Sequence, residues 1–544
     1  MNCPGGHPYQ HLMFASLGLA GFDGNARSAL DGGGRAPPSK VHDDRKKKMP
    51  TLMKSLTRRL SLEEREKAFA SSRKAEVMER QRLPVRYHVE DFDVADRPRR
   101  FLQAFAAILK HTNYRLALDH YIRVTAKCAR CSVACQVYDA TRDPRDVPCY
   151  RSELLLSIYR RHFTMSGILR ARILGDPGLT DEKIQEIADS YYNCTACRRC
   201  HFECPMGIDH ALITHLGRYI LSEIGIAPRA LVVSVREQLT GASGNTSAIP
   251  LPALLDTLEF LSDDIHDEKG IKVPFPVDRE GAEYIFFPAV SDYMMEAETL
   301  KGIATVFKAT GDDWTIGSKY YDGINYGLFY SDHVLEHVLH KIQAEAQRLK
   351  AKKILIGECG HATRVAKFFY PTFCGGKDAL PVVSILEYTN KVLKEGRIKL
   401  DPKVITENVT YHDPCNFART GWIVNQPREV LMAFCKNYTE MTPKGRMNIC
   451  CGGGGGTVSI DEIRRYRTSV GGNLKAEQIR RTEAKYCVAP CANCKKQLRE
   501  LMEDQGVGCE IVGLHDLVYK AILIPAEPEP ADGGSGESPG NTGH

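Results

Sequence analysis

Four closely spaced cysteines followed by a proline constrain this chain more than any other feature of its sequence. They match the spacing C-x2-C-x2-C-x3-C-P without a mismatch: Cys194, Cys197, Cys200 and Cys204. Three thiolates separated by two residues each wrap one loop around a cube of iron and sulfide, and the fourth usually reaches a second cluster. Structural zinc, the alternative, prefers two separated C-x-x-C knuckles. The spacing therefore predicts one [4Fe–4S] cluster in this loop and a second cluster nearby.

A partner motif lies upstream, but it is one cysteine short of the full pattern. Cys128, Cys131 and Cys135 keep part of the spacing, and Cys149 follows them. We infer that Cys149 supplies the missing ligand through cross-ligation between the motifs. The two predicted ligand sets are Cys128, Cys131, Cys149 and Cys204 for one cubane, and Cys194, Cys197, Cys200 and Cys135 for the other. The alternative is that Cys149 is a buried bystander and that the first cluster has three iron ions or an outside ligand.

A second cysteine block lies far downstream, at Cys415, Cys450, Cys451, Cys491 and Cys494. Adjacent cysteines do not easily ligate one iron of a cubane, but they can hold different irons of a more open cluster. The glycine run at 452–456 lets the backbone approach such a cluster without Cβ atoms. A phosphate-binding loop is the competitor, but no Lys-Ser or Lys-Thr follows the run. A disulfide between Cys450 and Cys451 is disfavoured by strain and by a reducing compartment.

Hydrophobic periodicity predicts an α + α/β fold, with a helical two-cluster ferredoxin domain before an α/β region. Helices are expected at 100–124, 153–174 and 181–192, the last capped by Thr180. Beyond about residue 273 the predicted strands are 284–287, 353–356, 404–411 and 486–489. The predicted helices between and after them are 297–308, 333–350, 427–435, 460–481 and 495–502. The two parts of this region resemble weak internal repeats, so the α/β domain is expected to be pseudo-duplicated.

Composition completes the predicted domain organisation of the 544 residues. The expected segments are a disordered extension at 1–48, a helical arm at 49–110, the ferredoxin-type domain at 111–225, a linker at 226–280, two α/β halves at 281–400 and 401–522, and a disordered tail at 523–544. A net charge of +6 does not require a nucleic-acid partner. No signal peptide or 18-residue apolar run is apparent, so we expect a cytoplasmic protein.

The C…CCG…CxxC arrangement resembles the cysteine-rich CCG domain of heterodisulfide reductase catalytic subunits. In that family, five cysteines bind a non-cubane [4Fe–4S] cluster that cleaves disulfides. The resemblance assigns this role to Cys415, Cys450, Cys451, Cys491 and Cys494. Linked ferredoxin motifs followed by paired CCG domains are also similar to the iron–sulfur subunits of glycolate oxidase and anaerobic glycerol-3-phosphate dehydrogenase.

The first α/β half departs from this pattern. Ser291 stands where a cysteine would be, 325–327 reads Asn-Tyr-Gly in place of CCG, and Cys359 alone remains of the last pair. This degeneracy, together with the sequence around Cys149 and the second ferredoxin motif, resembles the DsrK type. That type is the heterodisulfide-reductase-like subunit of membrane complexes linked to dissimilatory sulfur metabolism. Cys359 and His361 occupy the pseudo-symmetric position, so they have either a ligand or proton-transfer role or a packing role.

The resemblance implies an oxidoreductase subunit that acts on sulfur groups, with two cubanes and one non-cubane cluster. Its implied partners are a quinone-reactive membrane cytochrome b subunit and a small sulfur-carrier protein or low-molecular-weight disulfide. Such a chain would be attached peripherally to the inner face of the cell membrane, and its basic segment 45–80 would dock there or remain a solvated arm. The alternative is a non-catalytic iron–sulfur relay that delivers electrons from a flavin dehydrogenase to quinone.

Overall fold

Helices dominate the part of the chain that the computed structural model describes, which is residues 85–88, 96–175, 178–470 and 472–524. The predicted extension at 1–48, the basic segment 45–80 and nearly all of the tail lie outside these residues. None of the described helices combines the length and the apolar character that a membrane span requires.

The N-terminal described region is helical. Its helices are α1 (Arg97–His111), α2 (Tyr114–Val124), α3 (Gln136–Thr141), α4 (Pro148–Phe163), α5 (Met165–Leu174), α6 (Asp181–Tyr192), α7 (Arg199–Glu203), α8 (His210–Glu223), α9 (Arg229–Thr240) and α10 (Leu251–Lys269). Short 3-10 turns cover Arg130–Ala134 and Pro144–Asp146. Strand β1 (Tyr87–His88) pairs antiparallel with β2 (Ala227–Pro228). The segment 226–280, predicted as a linker, therefore contains two helices, α9 and α10.

Local capping explains where these helices begin and end. Helix α6 has the predicted bounds, and the Thr180 hydroxyl accepts a hydrogen bond from the Lys183 backbone N–H at 3.3 Å. The single helix predicted at 153–174 is wrong, because Thr164 is extended and caps α5 through the Gly167 N–H. The helix predicted at 100–124 is likewise divided, between α1 and α2. The break at Thr164 allows α5 to pack on α4, and periodicity alone reveals neither break.

The first α/β unit contains a four-stranded parallel sheet in the order β4-β3-β5-β6. Its strands are β3 (Tyr284–Phe287), β4 (Trp314–Thr315), β5 (Lys353–Ile356) and β6 (Val382–Ser384). Its helices are α11 (Asp292–Met295), α12 (Ala297–Thr310), α13 (Gly327–Tyr330), α14 (Asp332–Arg348), α15 (Gly360–Phe368), α16 (Tyr370–Phe373) and α17 (Ile385–Lys394). Every residue of β3 is buried, as expected for a parallel strand covered on both faces.

The second unit contains a three-stranded parallel sheet in the order β10-β9-β8. Short strand β7 (Lys399–Leu400) precedes it and pairs with the last strand, β11 (Ile522–Leu523). The sheet comprises β8 (Val409–Tyr411), β9 (Tyr486–Val488) and β10 (Glu510–Val512). The helices are α18 (Gln426–Phe434), α19 (Arg464–Val470), α20 (Gly472–Arg480), α21 (Ala492–Gln505) and α22 (Leu514–Ala521), with a π-helix at Asn416–Gly421.

Two predictions for this unit need correction. The strand predicted at 404–411 is confined to β8, and the helix predicted at 460–481 begins only at Arg464, after 3-10 turns at Thr457–Ser459 and Asp461–Ile463.

Glycine explains a close contact between the two α/β units. A Cβ on Gly302 in α12 would lie 2.0 Å from the His515 carbonyl oxygen in α22, so only glycine permits this packing.

Candidate iron–sulfur sites

The second ferredoxin motif and Cys135 line one small enclosed cavity. Its cysteines are Cys135, Cys194, Cys197 and Cys200, which form one of the predicted ligand sets. Ala196 and Arg198 have positive φ angles, so the loop turns sharply between its cysteines. The backbone N–H of Ala196 donates to Cys194 Sγ at 3.3 Å, and such N–H···S bonds tune the potential of a bound cluster.

A buried arginine indicates that an anionic group fits this cavity. Arg151 lines it, is 2% exposed, and donates from Nε to the Ser190 carbonyl at 3.0 Å. Its buried Nη2 has no hydrogen-bond acceptor among the described residues, although Asp146 lies 3.5 Å away. Four thiolates and a guanidinium with spare hydrogen-bonding capacity match the ligands and charge of a [4Fe–4S] cluster.

The first motif lies against the second, and Cys149 joins it. The thiol of Cys131 hydrogen-bonds that of Cys149, and this contact lowers the pKa of Cys149 to about 6, assisted by the Ala129 backbone N–H. Cys149 lies in the first turn of α4, where the helix dipole also favours a thiolate. Cys128 is exposed, and Cys204 directly follows α7, which packs on the 3-10 turn containing Cys131. The arrangement brings Cys149 to the incomplete motif, as cross-ligation requires.

Three segments bring the five CCG cysteines together at the carboxyl ends of β8 and β9. Parallel pairing aligns Tyr411 with Val488, so the loops after both strands leave the same edge of the sheet. The five thiols form a chain of contacts, in which each thiol hydrogen-bonds the next. The order along this chain is Cys415, Cys450, Cys451, Cys494 and Cys491. Hydrogen bonds from Cys450 and Cys494 hold the pKa of Cys451 well below its usual range. None of the described cysteines forms a disulfide.

His412 is a site residue that sequence reasoning missed. Its imidazole lies with the Cys451 and Cys494 thiols in a group whose candidate ligand atoms are all within 4.8 Å of one another. Burial lowers the pKa of His412, so the ring is neutral at neutral pH. The ring hydrogen-bonds the Cys451 thiol, and its Nδ1 lies 3.3 Å from the Asn448 amide nitrogen. A neutral imidazole beside two of the CCG thiols fits a bound metal cluster or its substrate.

Lys475 is a second missed residue and places a positive charge beneath the CCG cysteines. The side chain is fully buried, and its ammonium donates to Asn448 Oδ1 at 3.0 Å. Burial lowers the pKa of Lys475 to about 8, although the thiolates of Cys450 and Cys451 favour its charged form. A cation here would offset part of the negative charge of a thiolate-bound cluster.

Cys359 and His361 of the first α/β unit also reach this site. The Cys359 thiol hydrogen-bonds that of Cys491, and His361 Nδ1 lies 3.2 Å from Cys359 Sγ. Both side chains are buried, and burial lowers the pKa of His361 to about 4. Asn493 Nδ2 lies 3.4 Å from the same ring nitrogen. The pseudo-symmetric position therefore places this pair beside the CCG cysteines, whereas Ser291 lies at the start of α11.

The second ferredoxin motif contacts the CCG site directly. The Cys197 thiol hydrogen-bonds the Cys450 thiol. Arg419, on the π-helix, donates to the Cys197 carbonyl at 3.1 Å and to the Arg446 carbonyl at 2.7 Å. These contacts place one predicted cubane ligand next to a predicted ligand of the non-cubane cluster.

Arg218 and the glycine run complete this junction. The buried guanidinium donates to the carbonyls of Cys194 at 2.6 Å and Gly455 at 2.8 Å. A Cβ on Gly454 would lie 2.3 Å from the Thr195 carbonyl oxygen, and Gly455 has a φ of +64°. The glycine run therefore allows its backbone to pack closely against the loop of the second ferredoxin motif. The sequence predicts only a close approach of this backbone to a cluster.

Comparisons with known proteins agree with these sites. The 4Fe-4S dicluster domain family matches residues 126–208, and the cysteine-rich domain family CCG matches residues 409–499. An "Hdr-like menaquinol oxidoreductase iron-sulfur subunit 2" from Archaeoglobus fulgidus is 27% identical over 474 residues, covering 78% of this chain and 83% of the relative. The predicted cofactors, two [4Fe–4S] cubanes and one non-cubane [4Fe–4S] cluster, are confirmed by these matches.

The names of two further relatives specify two different kinds of reaction. The D-type subunit of a dihydromethanophenazine:CoB--CoM heterodisulfide reductase from Methanosarcina barkeri is 25% identical over 402 residues, covering 73% of this chain and 93% of the relative. An "EtfAB:quinone oxidoreductase" from Syntrophomonas wolfei is 25% identical over 285 residues, covering 51% of this chain and 38% of the relative. One name specifies a disulfide, and the other specifies a quinone.

Proposed function

We propose a specific reaction for this chain, which is similar to the heterodisulfide reductase D-like iron–sulfur subunits, a group of oxidoreductase subunits with an electron-transfer role. It passes electrons between a quinone-linked membrane partner and a thiol or disulfide substrate at the CCG site. The convergence of five CCG cysteines with His412, Cys359 and His361, next to a ferredoxin motif, is the observation that supports this proposal.

The proposed ligands of the three clusters follow the two motifs and the CCG block. One cubane is held by Cys128, Cys131, Cys149 and Cys204, the second by Cys135, Cys194, Cys197 and Cys200, and the non-cubane cluster by Cys415, Cys450, Cys451, Cys491 and Cys494. When bound, these clusters supply single electrons and, at the CCG site, an iron that can bind substrate sulfur. In this proposal the two α/β units are duplicated halves, of which only the second keeps a complete ligand set.

The chain's own residues manage charge and protons around the substrate. His361 and His412 are buried and neutral, so each ring has a lone pair that can accept a hydrogen bond from an incoming thiol. In the reducing direction the same rings donate hydrogen bonds to the departing sulfur. Lys475 stabilises the negative charge that accumulates on reduction.

The proposed membrane partner is a quinone-reactive cytochrome b subunit, and the sulfur partner is a small carrier protein or a low-molecular-weight disulfide. The name of the Archaeoglobus relative, which specifies menaquinol, supports the quinone side. The name of the Methanosarcina relative supports the disulfide side. We place the chain peripherally on the inner face of the cell membrane, in the cytoplasm.

A non-catalytic relay is the second candidate, and the match to the EtfAB:quinone oxidoreductase favours it. In that role, electrons from a flavin dehydrogenase cross the same sites to quinone, and no thiol binds at the CCG site. The two functions share their cysteine ligands and differ in what happens at Cys450 and Cys451.

Replacing Cys450 or Cys451 with Ser separates the two functions. The assay is dye-driven reduction of a disulfide by the purified protein, run beside quinone reduction, with Cys435→Ser as a control at a buried cysteine outside these sites. We expect both site variants to lose disulfide reduction while the ferredoxin-motif clusters remain reducible. Disulfide reduction at the wild-type rate in the variants would contradict the proposal. Quinone transfer without any thiol effect in the wild type would support the relay.

A further inference from the structure

Helix α5 is exposed along its whole length and has an apolar stripe facing solvent. None of its residues is buried. Met165 is 85% exposed, Leu169 is 61% exposed and Ile173 is 73% exposed. Residues four apart lie on the same face of a helix, so these three side chains form one continuous row. A soluble surface seldom presents such a row without a contact that covers it.

Arginines surround this row. Arg170 and Arg172 are exposed on α5 itself, at helical positions on either side of the apolar stripe. Residues of α2, α4 and α5 line a cleft of about 820 Å³, and its charged lining contains five arginines and one aspartate. The arginines are Arg115, Arg123, Arg160, Arg161 and Arg170. The aspartate, Asp119, accepts a hydrogen bond from Tyr159 at 2.6 Å, and Arg160 pairs with Glu153.

We propose that the α4–α5 hairpin binds the surface of an anionic lipid bilayer. Lipid phosphates would occupy the arginine-rich cleft, and Met165, Leu169 and Ile173 would enter the boundary between headgroups and acyl chains. An exposed apolar row with basic residues beside it can bind an anionic bilayer in this manner, because the basic side chains meet the lipid phosphates while the apolar side chains leave water. The long arginine side chains can keep their charge at the phosphate level while their methylene groups cover apolar surface.

The chemistry of this surface favours lipid over a protein partner. The exposed apolar side chains of α5 are Met, Leu and Ile, and the helix contains no aromatic residue. Central protein–protein contacts are enriched in Met and Arg as well as in Tyr and Trp, and their anchors fill matching pockets. A projecting aliphatic row without an aromatic anchor needs only a fluid apolar layer. Excess arginine complements the high density of negative charge on an anionic membrane.

The surface also has a defined position relative to the ferredoxin motifs. Helix α4 has Cys149 in its first turn and leads at its other end into α5. Sixteen residues of α-helix span about 24 Å, so α5 begins roughly that far from the end of α4 that contains Cys149. This inference goes beyond the proposed reaction and does not depend on the sulfur chemistry at the CCG site.

Co-sedimentation of the full-length, cluster-loaded protein with vesicles tests the proposal. The vesicles contain either phosphatidylcholine alone or equal parts of phosphatidylcholine and phosphatidylglycerol. We expect binding to the anionic vesicles that weakens when the salt concentration rises from about 0.1 M to about 0.5 M. Replacing both Leu169 and Ile173 with Asp should lower the partition coefficient at least about tenfold, and Arg170→Gln and Arg172→Gln about fivefold each.

Phe260→Asp is the matched control, because Phe260 is 65% exposed on α10 and should leave vesicle binding unchanged. Unaltered iron content and visible absorption establish that each variant is folded. Equal vesicle binding by the wild type and the α5 variants would overturn the proposal. Absence of vesicle binding by the wild type would also overturn it, and loss of a co-purifying membrane protein in the same variants would then identify α5 as a protein-binding surface.

Discussion

Adding one methyl group at Gly454 tests the junction between the second ferredoxin motif and the CCG site. In Gly454→Ala the new Cβ would lie 2.3 Å from the Thr195 carbonyl oxygen, a distance that must rise to at least 3.0 Å. The opposing atom is backbone, so no side-chain rotation relieves the clash. Arg218 also holds the neighbouring Cys194 carbonyl at 2.6 Å, which resists movement of the loop.

The expected magnitude follows from the cost of overpacking. Forcing one additional carbon into a well-packed contact costs about 1–3 kcal/mol. Loss of the Arg218 bond to the Cys194 carbonyl would add a similar cost, because a buried charged donor would be left partly unsatisfied. A destabilisation of about 1 kcal/mol lowers the melting temperature of a domain of roughly 150–250 residues by about 2–4 °C.

The measurement is anaerobic thermal unfolding followed by circular dichroism, with electron transfer to the CCG site measured in parallel. Gly508→Ala is the control, because a Cβ there has no atom within 4 Å. We expect a lower melting temperature and slower electron transfer only in Gly454→Ala. Identical melting temperatures and electron-transfer rates in the two variants would refute the argument that glycine is required for this close approach.

Two further predictions concern the ligands and the charge of the sites. The wild type should contain about 12 Fe per chain, and Cys149→Ala should lose iron from one cubane while Cys435→Ala does not. Stoichiometric zinc in the wild type would contradict the ligand assignment. Unchanged iron content and unchanged low-temperature spectra in Cys149→Ala would also contradict it. Lys475→Met should lower the reduction potential of the CCG site by on the order of tens of millivolts, because it removes a buried positive charge that acts on Cys450 and Cys451. Redox titration measures the shift in potential. An equal shift in the control Lys403→Met, where the lysine is exposed, would contradict the expectation that the effect comes from the buried position of Lys475.

Local patterns made part of this structure predictable. Helix α6 begins after Thr180 as predicted, because an N-cap and its helix are adjacent in sequence. The break at Thr164 was not predicted, since the residues on both sides have helix-compatible periodicity and only the capping hydrogen bond shows the interruption. Cysteine spacing led to Cys149, and the structure places its thiol against Cys131.

Polar contacts between distant parts of the chain could not be predicted from the sequence. The sequence does not single out His412, because the proximity of His412 to Cys494 depends on the pairing of β8 with β9. Arg218 lies in the middle of α8, where an arginine ordinarily faces solvent. Its acceptors come from segments up to 237 residues away, at Gly455. Such partners are determined by the tertiary fold, which spacing within one element does not encode.

The buried arginine at position 218 has a consequence for how charge moves through the molecule. Its guanidinium holds backbone carbonyls of three segments, at Cys194, Phe329 and Gly455. Backbone atoms held in this way cannot swing as a long side chain or a tethered domain can. If electrons follow the proposed path, the interval between Cys197 and Cys450 is therefore set by the architecture itself. Each crossing is a hop over a constant gap, and no large movement of the protein has to precede it.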